Sequence, residues 1–265
     1  MAMAAAVEQR RRFVREYRVV RSAEGWGSLD GAYYRALPYR DLSRRHTRVW
    51  RIRARSFDTF VREVLVPIEK RTSRPLVVAD LGAGNGWLAH RVAKRGHRVI
   101  AFDVQVDPMD GLRARKHYEV SFGAVQAEFD ALPLRDGTCD LAVFNGALHY
   151  STDCARSLAE TLRVLQAEGT LVVLDTPMYA EAEHGRRMVE ERERRFTQQY
   201  GFGHATRAEH FLTPHRLGEL SAALGLRWRV LQPDSSWRGR LGRRLTAARR
   251  GRDVATFPVL VGARA

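Results

Sequence analysis

Lysine is nearly absent from this sequence of 265 residues, although the chain is strongly basic. Lys70, Lys94 and Lys116 are the only lysines among 45 basic residues, so arginine supplies almost all of the formal charge of +15. A net charge of this size favours nucleic acid or an anionic membrane as a partner. An arginine-biased coding composition would give the same excess. The charge alone therefore identifies no partner.

The positive charge is also missing from the middle of the chain. Residues 1–74 carry a net charge of +10 and residues 231–265 a net charge of +6, whereas residues 75–230 carry −1. The central part therefore has the composition of an ordinary near-neutral domain, flanked by two basic ends.

Cysteines and long apolar runs are scarce as well. Cys139 and Cys154 cannot form a disulfide framework, which favours a reducing, cytoplasmic location. No apolar run reaches the roughly 18 residues of a membrane-spanning helix. His204, His210 and His215 are six and five residues apart, a spacing that fits no metal-ligand pattern. The sequence therefore predicts no metal site.

Short apolar runs alternate with helical patterns along the central part. This alternation indicates βαβ units and an α/β fold with a doubly wound, Rossmann-like sheet. Strands are predicted over 76–80, 97–103, 121–128, 139–145, 169–175, 226–231 and 254–261. Helices are predicted over 87–95, 154–165, 181–199 and 213–224.

Residues 1–74 differ from this pattern and are predicted to form a helical N-terminal extension or lid. A short basic helix is expected over 7–20, and apolar residues at three- and four-residue steps predict an amphipathic helix over 42–68. The remainder, 75–265, is predicted to be one domain that contains a basic loop at 234–253 between its last two strands.

Glycines are concentrated between the first predicted strand and its helix, in Asp80-Leu81-Gly82-Ala83-Gly84-Asn85-Gly86. Glycines there allow a tight turn and a close approach of the backbone to a ligand. The dinucleotide fingerprint G-x-G-x-x-G would place its third glycine where Trp87 stands. The sequence also lacks G-x-x-x-x-G-K-[ST], which excludes a P-loop nucleotide site.

This stretch resembles the first motif of class I S-adenosylmethionine-dependent methyltransferases, and the chain is similar to their small-molecule members with a type 11-like domain. The resemblance continues through Asp103, Phe129 to Leu134 and Asn145 to Tyr150, and covers about two-thirds of the chain. It implies a seven-stranded sheet whose last hairpin is antiparallel, and S-adenosyl-L-methionine as cofactor. The implied cofactor-binding residues are Asp80, Gly82, Ala83, Gly84, Gly86, Asp103, Asp130, Ala131 and Asn145.

The resemblance also implies roles for these side chains. Asp103 would accept hydrogen bonds from both ribose hydroxyls, Asp130 would reach the adenine amino group, and Asn145 would lie beside the methionine part. Asp80 would orient the loop amides or bind the cofactor amine through water. The alternative for Asp80 is a purely structural cap of the glycine turn.

Candidates for the acceptor side are fewer. His149 follows the fourth strand, at the edge where open α/β sheets bind ligands, and an ordinary pKa near 6.5 suits a general base. A packing role for His149 is an equal alternative. Tyr33, Tyr34 and Tyr179 are predicted to line the acceptor pocket, with packing of the extension or of a loop as the alternative.

The predicted function is methyl transfer by in-line displacement to a small molecule, at O, N or C, with the acceptor near His149. A basic amphipathic segment at 237–252 suggests a second possibility, a membrane-surface enzyme acting on a lipid or quinone-like acceptor. An RNA methyltransferase is disfavoured, since residues 145–148 are Asn-Gly-Ala-Leu where base-modifying families carry N-P-P-Y. A non-catalytic cofactor-binding module remains the fourth possibility.

Overall fold

The computed structural model describes residues 2–201, 208–233 and 251–265, and its strands form one mixed sheet. The strands are β1 (Val77–Leu81), β2 (Arg98–Asp103), β3 (Gly123–Gln126), β4 (Cys139–Asn145), β5 (Leu165–Leu174), β6 (Leu226–Leu231) and β7 (Val259–Arg264). Their order is β3-β2-β1-β4-β5-β7-β6. The first five strands in this order pair in parallel, and β7 runs antiparallel to both of its neighbours. The predicted fold class is confirmed.

The central strands are apolar on both faces because each face of the sheet carries its own core. Val78 and Leu141 pack into the core that also contains Trp50, Phe57 and other residues of the extension. The alternate residues of the same strands, such as Ala79, pack into the opposite core. Strands buried on both sides lose the polar alternation, which is why they appear in the sequence as continuous apolar runs.

Four of the described helices alternate with the strands, and two of these begin at a side-chain cap. The four are α5 (Trp87–Ala93), α6 (Cys154–Val164), α7 (Ala182–Tyr200) and α8 (Pro214–Leu224). The Arg156 N–H of α6 donates to Asp153 Oδ1 at 3.0 Å, and the Arg216 N–H of α8 donates to Thr213 Oγ1 at 3.1 Å. These caps satisfy amides that a helix leaves unpaired at its first turn.

The N-terminal extension is helical, with boundaries that differ from the prediction. Its elements are α1 (Ala2–Ala23), α2 (Gly31–Ala36), α3 (Thr47–Phe60), a π-helical turn (Val61–Leu65) and α4 (Val66–Arg71). The helix predicted from residue 42 begins at Thr47, because the Asp41 carboxylate accepts the N–H groups of Ser43 and His46 and holds a turn there. Pro67 lies just after the π-helical turn, at the second position of α4, and its missing N–H interrupts the hydrogen bonds of this continuous helical stretch.

The last strands also differ in their boundaries. β5 begins at Leu165, directly after α6, four residues earlier than predicted. The strand predicted over 254–261 begins at Val259, because Pro258 has no N–H to donate. Before it, Thr256 and Met178 exchange backbone hydrogen bonds of 2.9 Å.

Most of the basic segment predicted over 237–252 lies outside the described residues, so its membrane role stays a prediction. No helix in the part of the chain that the structure describes is both long and apolar enough to cross a membrane.

Candidate functional site

A cavity of about 470 Å³ lies at the carboxyl edge of the parallel strands. One side, the sheet-edge wall, is formed by Gly82–Asn85, Asp103, Asp130, Ala131 and Asn145. The opposite side, the helical wall, is formed by Phe13, Tyr17 and Arg21 of α1 and by Arg53 of α3. The cavity therefore lies between the strand ends and the N-terminal extension, where ligands of open α/β sheets bind.

The glycine loop turns back on the neighbouring strand. The N–H groups of Gly82 and Ala83 donate to the Phe102 carbonyl at 2.8 and 3.0 Å. Gly82 has a φ of +72°, and a Cβ added there would lie 2.4 Å from the Ala147 Cβ. Only glycine meets both conditions, so the loop can pass between β1 and the segment after β4.

Asp103, at the end of β2, faces the cavity and anchors this loop. Its carboxylate accepts the N–H groups of Gly84 and Gln105, each at 2.7 Å. Burial raises its pKa to about 6, and the nearby Asp110 adds to this, while the backbone hydrogen bonds oppose it. A carboxylate has about four lone-pair sites, so two remain for donors in the cavity. These sites fit the two hydroxyls of a ribose.

Two acceptor atoms of the sheet-edge wall lack a donor among the described residues. Asp130 Oδ1 and Asn145 Oδ1 are buried without a hydrogen-bond partner, although Asp130 Oδ2 lies 3.3 Å from Arg156 Nε. An unpaired buried acceptor is unfavourable, so such atoms indicate a ligand that brings N–H donors. An adenine amino group at Asp130 and an α-ammonium group at Asn145 fit this need.

The comparisons with known proteins agree with this geometry. Residues 79–173 match the family model of the methyltransferase domain. This segment is therefore similar to methyltransferase domains. An uncharacterized methyltransferase of Mycobacterium bovis is 37% identical over 94 residues, which are 36% of this chain and 37% of that protein. The malonyl-[acyl-carrier protein] O-methyltransferase of Hahella chejuensis is 31% identical over 114 residues, which are 42% of this chain and 40% of that protein.

Among solved structures, the 1,6-didemethyltoxoflavin-N1-methyltransferase of Burkholderia thailandensis has a TM-score of 0.52 and 20% identity. The alignment covers 82% of this chain and 80% of that one, and that structure holds S-adenosylhomocysteine. The chain therefore resembles class I S-adenosylmethionine-dependent methyltransferases in fold. Its matches to the curated relatives above span only about two-fifths of their length or less.

The structure brings most of the predicted cofactor residues to this cavity, with Asp80 and Gly86 as exceptions. Asp80 is fully buried behind the loop, where its Oδ2 accepts the Ala89 N–H of α5 at 3.0 Å. Burial raises its pKa to about 7. Gly86 begins α5 with a φ of +78°. Both residues support the loop from behind instead of lining the cavity.

His149 does not line the cavity, although its neighbours Tyr150 and Ser151 do. A 3₁₀ turn over Leu148–Tyr150 directs successive side chains about a third of a turn apart, so the imidazole faces away. Its buried Nδ1 has no hydrogen-bond partner among the described residues. Burial, with Arg192, His210 and Arg53 nearby, lowers its pKa to about 3. This position supports the packing alternative for His149.

The three tyrosines predicted for the acceptor side do not reach the cavity either. Tyr33 and Tyr34 of α2 are 2% and 0% exposed, and the Tyr34 hydroxyl lies 2.8 Å from the Ser28 carbonyl oxygen. Tyr179 packs edge to face on Phe211, with ring centroids 5.6 Å apart. Their apolar rings hold the extension and a loop in place, which corrects the prediction of a lining role.

Sequence reasoning predicted a helical extension or lid but did not identify the residues of the helical wall. Phe13, Tyr17 and Arg21 are four residues apart on α1 and therefore share one face of it, a spacing that the sequence does contain. The Arg21 guanidinium stacks over Trp26 at 3.7 Å and pairs with Asp110 at 2.5 Å, and the Gln105 amide donates to the Val14 carbonyl at 2.9 Å. These contacts hold α1 over the cavity.

No cluster of His, Cys, Asp and Glu side chains that could hold a metal ion occurs in the described ranges. His204, considered above with His210 and His215, lies outside them.

Proposed function

We propose that this chain is an S-adenosyl-L-methionine-dependent methyltransferase that acts on a small-molecule acceptor. The observation that carries the proposal is the convergence of Gly82, Gly84, Asp103, Asp130 and Asn145 on one cavity. The family match over 79–173 supports it independently. The product would be S-adenosyl-L-homocysteine.

The cofactor would supply a methyl group on a sulfonium sulfur, open to in-line displacement. The role of the chain is then to hold donor and acceptor in line and to exclude water, a proximity effect. Asp103 and the glycine loop fix one side of the cavity, and α1 closes the other. A general base is required only for an acceptor that carries a proton of high pKa.

The acceptor class is inferred from the size and closure of the cavity. At about 470 Å³, the cavity has room for the cofactor and a compact acceptor. The similar proteins named above act on malonyl-acyl carrier protein and on 1,6-didemethyltoxoflavin, which supports an acceptor that presents a small group. We place this acceptor next to Tyr150 and Ser151, the cavity residues that follow His149.

Titration with S-adenosylhomocysteine in a calorimeter tests the proposal. We expect wild-type protein to bind, and Asp103→Ala to bind roughly 100-fold more weakly, because two hydrogen bonds to a charged acceptor are lost. Asp58→Ala, an exposed aspartate on α3, is the control and should bind like wild type. Absence of binding by wild-type protein at millimolar ligand would contradict the proposal.

A further inference from the structure

The helical wall contains one arginine whose charge is not neutralised by a contact. Arg53 of α3 lines the cavity, with its guanidinium 4.7 Å from the Trp50 ring centroid and 5.4 Å from that of Trp26. Trp50 is 1% exposed, so the aromatic support under the guanidinium is fixed in the core. Stacking of this kind leaves the edge of the guanidinium, with its N–H groups, free to bind.

Among residues 2–201, 208–233 and 251–265, the Arg53 guanidinium makes no hydrogen bond and no ion pair. The other two arginines of the cavity are paired, Arg21 with Asp110 at 2.5 Å and Arg156 with Asp130 at 3.3 Å. A partly buried guanidinium without acceptors is unfavourable and therefore unusual.

Asp175 is a carboxylate whose charge interacts with that of Arg53, and it does not line the cavity. Its Oδ1 accepts the Ser56 hydroxyl at 2.7 Å, and the residue is only 8% exposed. Burial raises the pKa of Asp175, and the charge of Arg53 partly opposes that increase. Asp175 Oδ2 is buried and makes no hydrogen bond among the described residues, so the interaction of Asp175 with Arg53 is electrostatic and involves no hydrogen bond.

The space in front of Arg53 is kept open by a glycine. A Cβ added to Gly146 would lie 3.9 Å from Arg53 Nη2, so any longer side chain at this position would cover the guanidinium. Gly146 directly follows Asn145 at the end of β4. The open N–H groups therefore lie beside the end of β4, next to the position proposed for the methionine part of the cofactor.

We infer that Arg53 binds a carboxylate of the methyl acceptor, so that the acceptor of this enzyme is a carboxylic acid. The inference rests on the proposed function. A guanidinium matches a carboxylate with two parallel hydrogen bonds. A second cation, the sulfonium, would share the cavity with Arg53, and an anionic acceptor offsets the repulsion between the two.

The cofactor also carries a carboxylate, which Arg53 could bind instead of that of the acceptor. Two ligands distinguish these two carboxylates. S-adenosylhomocysteine has the amino-acid tail, whereas methylthioadenosine lacks it. We expect Arg53→Met to change the affinity for both ligands by less than roughly threefold, because Arg53 serves the acceptor. If Arg53→Met instead weakens S-adenosylhomocysteine alone by tenfold or more, the carboxylate is that of the cofactor and the inference is wrong.

The acceptor side is tested with acetate, malonate and benzoate, each compared with its carboxamide. Binding to protein saturated with S-adenosylhomocysteine is measured by saturation-transfer NMR. We expect wild-type protein to bind at least one acid in preference to its amide. Arg53→Met should weaken the binding of that acid by roughly 10- to 100-fold without affecting the binding of the amide. Arg53→Lys should bind the acid with intermediate affinity.

Arg51→Met is the matched control, since Arg51 is an exposed arginine of the same helix and lies outside the cavity. It makes the same change of charge and should keep the preference for the acid. Equal binding of acids and amides by wild-type protein, or an equal loss in Arg51→Met, would overturn the inference. Failure of wild-type protein to bind S-adenosylhomocysteine at all would instead overturn the proposed function.

Discussion

The sheet-edge wall presents backbone amides and short polar side chains to the cavity, whereas the helical wall presents arginines and aromatic rings. Asp103 and Gly84 are bound to each other through the loop backbone, so their positions follow from the register of β1 and β2. Arg21 and Arg53 reach the cavity on long side chains from helices outside the parallel strands. Single substitutions in the sheet-edge wall should therefore greatly weaken ligand binding. Each substitution in the helical wall should cause only a small loss of affinity.

The largest effect is expected in the glycine loop. Gly82→Ala would place a Cβ 2.4 Å from the Ala147 Cβ, at a φ of +72°. We expect a loss of roughly 3–5 kcal/mol of unfolding free energy from overpacking and backbone strain together, with loss of cofactor binding. Urea denaturation and calorimetry with S-adenosylhomocysteine measure the two effects.

Gly137→Ala is the control for backbone strain alone. Gly137 has a similar φ of +62°, and nothing lies within 4 Å of its added Cβ. Gly137→Ala should lower the free energy of unfolding by only roughly 1–2 kcal/mol and leave the ligand affinity unchanged. Equal effects of the two substitutions would show that the close approach to Ala147 is unimportant.

The second prediction concerns pH and Asp103. Ribose hydroxyls donate to the ionised carboxylate, whose pKa without ligand is raised to about 6 by burial. Affinity for S-adenosylhomocysteine should therefore be constant above pH 6 and fall by up to about tenfold per pH unit below it. Calorimetry between pH 5 and pH 8, a range that includes the Asp103 pKa of about 6, measures how the affinity depends on pH.

Asp103→Asn supplies the comparison for this slope, because the amide does not titrate. It should bind more weakly at high pH and show no decrease below pH 6. A wild-type affinity that stays constant through this range would contradict the assignment of Asp103 to the ribose.

The smallest effect is expected on the helical wall. Arg21→Met removes the ion pair with Asp110, whose two side chains are 16% and 11% exposed. Affinity for S-adenosylhomocysteine should fall by roughly fivefold, or about 1 kcal/mol, because a partly buried pair holds α1 over the cavity. The exposed Arg18 of the same helix is the control, and Arg18→Met should have no effect. A loss as large as that of Asp103→Ala would remove the distinction between the two walls.

The sheet-edge wall could be predicted from sequence because its residues follow from the geometry of parallel strands. Runs of apolar residues gave the strands, and the carboxyl ends of parallel strands meet at one edge. Asp103 and Asn145 each end such a strand, so they converge although 42 residues separate them in the sequence. The glycine loop was recognisable from its residue types alone.

The helical wall could not be predicted in this way, since docking of α1 depends on contacts between distant parts of the chain. Arg21 meets Asp110, which is 89 residues away, and no local pattern marks that pairing. Arg53 is one of several arginines on α3, and its sequence neighbours do not distinguish it from the exposed Arg51. His149 directly precedes the cavity residues Tyr150 and Ser151 in the sequence, but the direction of its side chain depends on a short 3₁₀ turn.

Because α1 lies across the cavity, docking of this helix and binding of a ligand in the cavity are thermodynamically coupled. Phe13, Tyr17 and Arg21 belong both to the docked helix and to the wall that a ligand touches. A ligand that contacts these side chains raises the equilibrium constant for docking of α1. The docked helix raises the affinity for that ligand by the same factor. Because α1 is rich in arginine, its rate of cleavage by trypsin becomes an external measure of how full the cavity is.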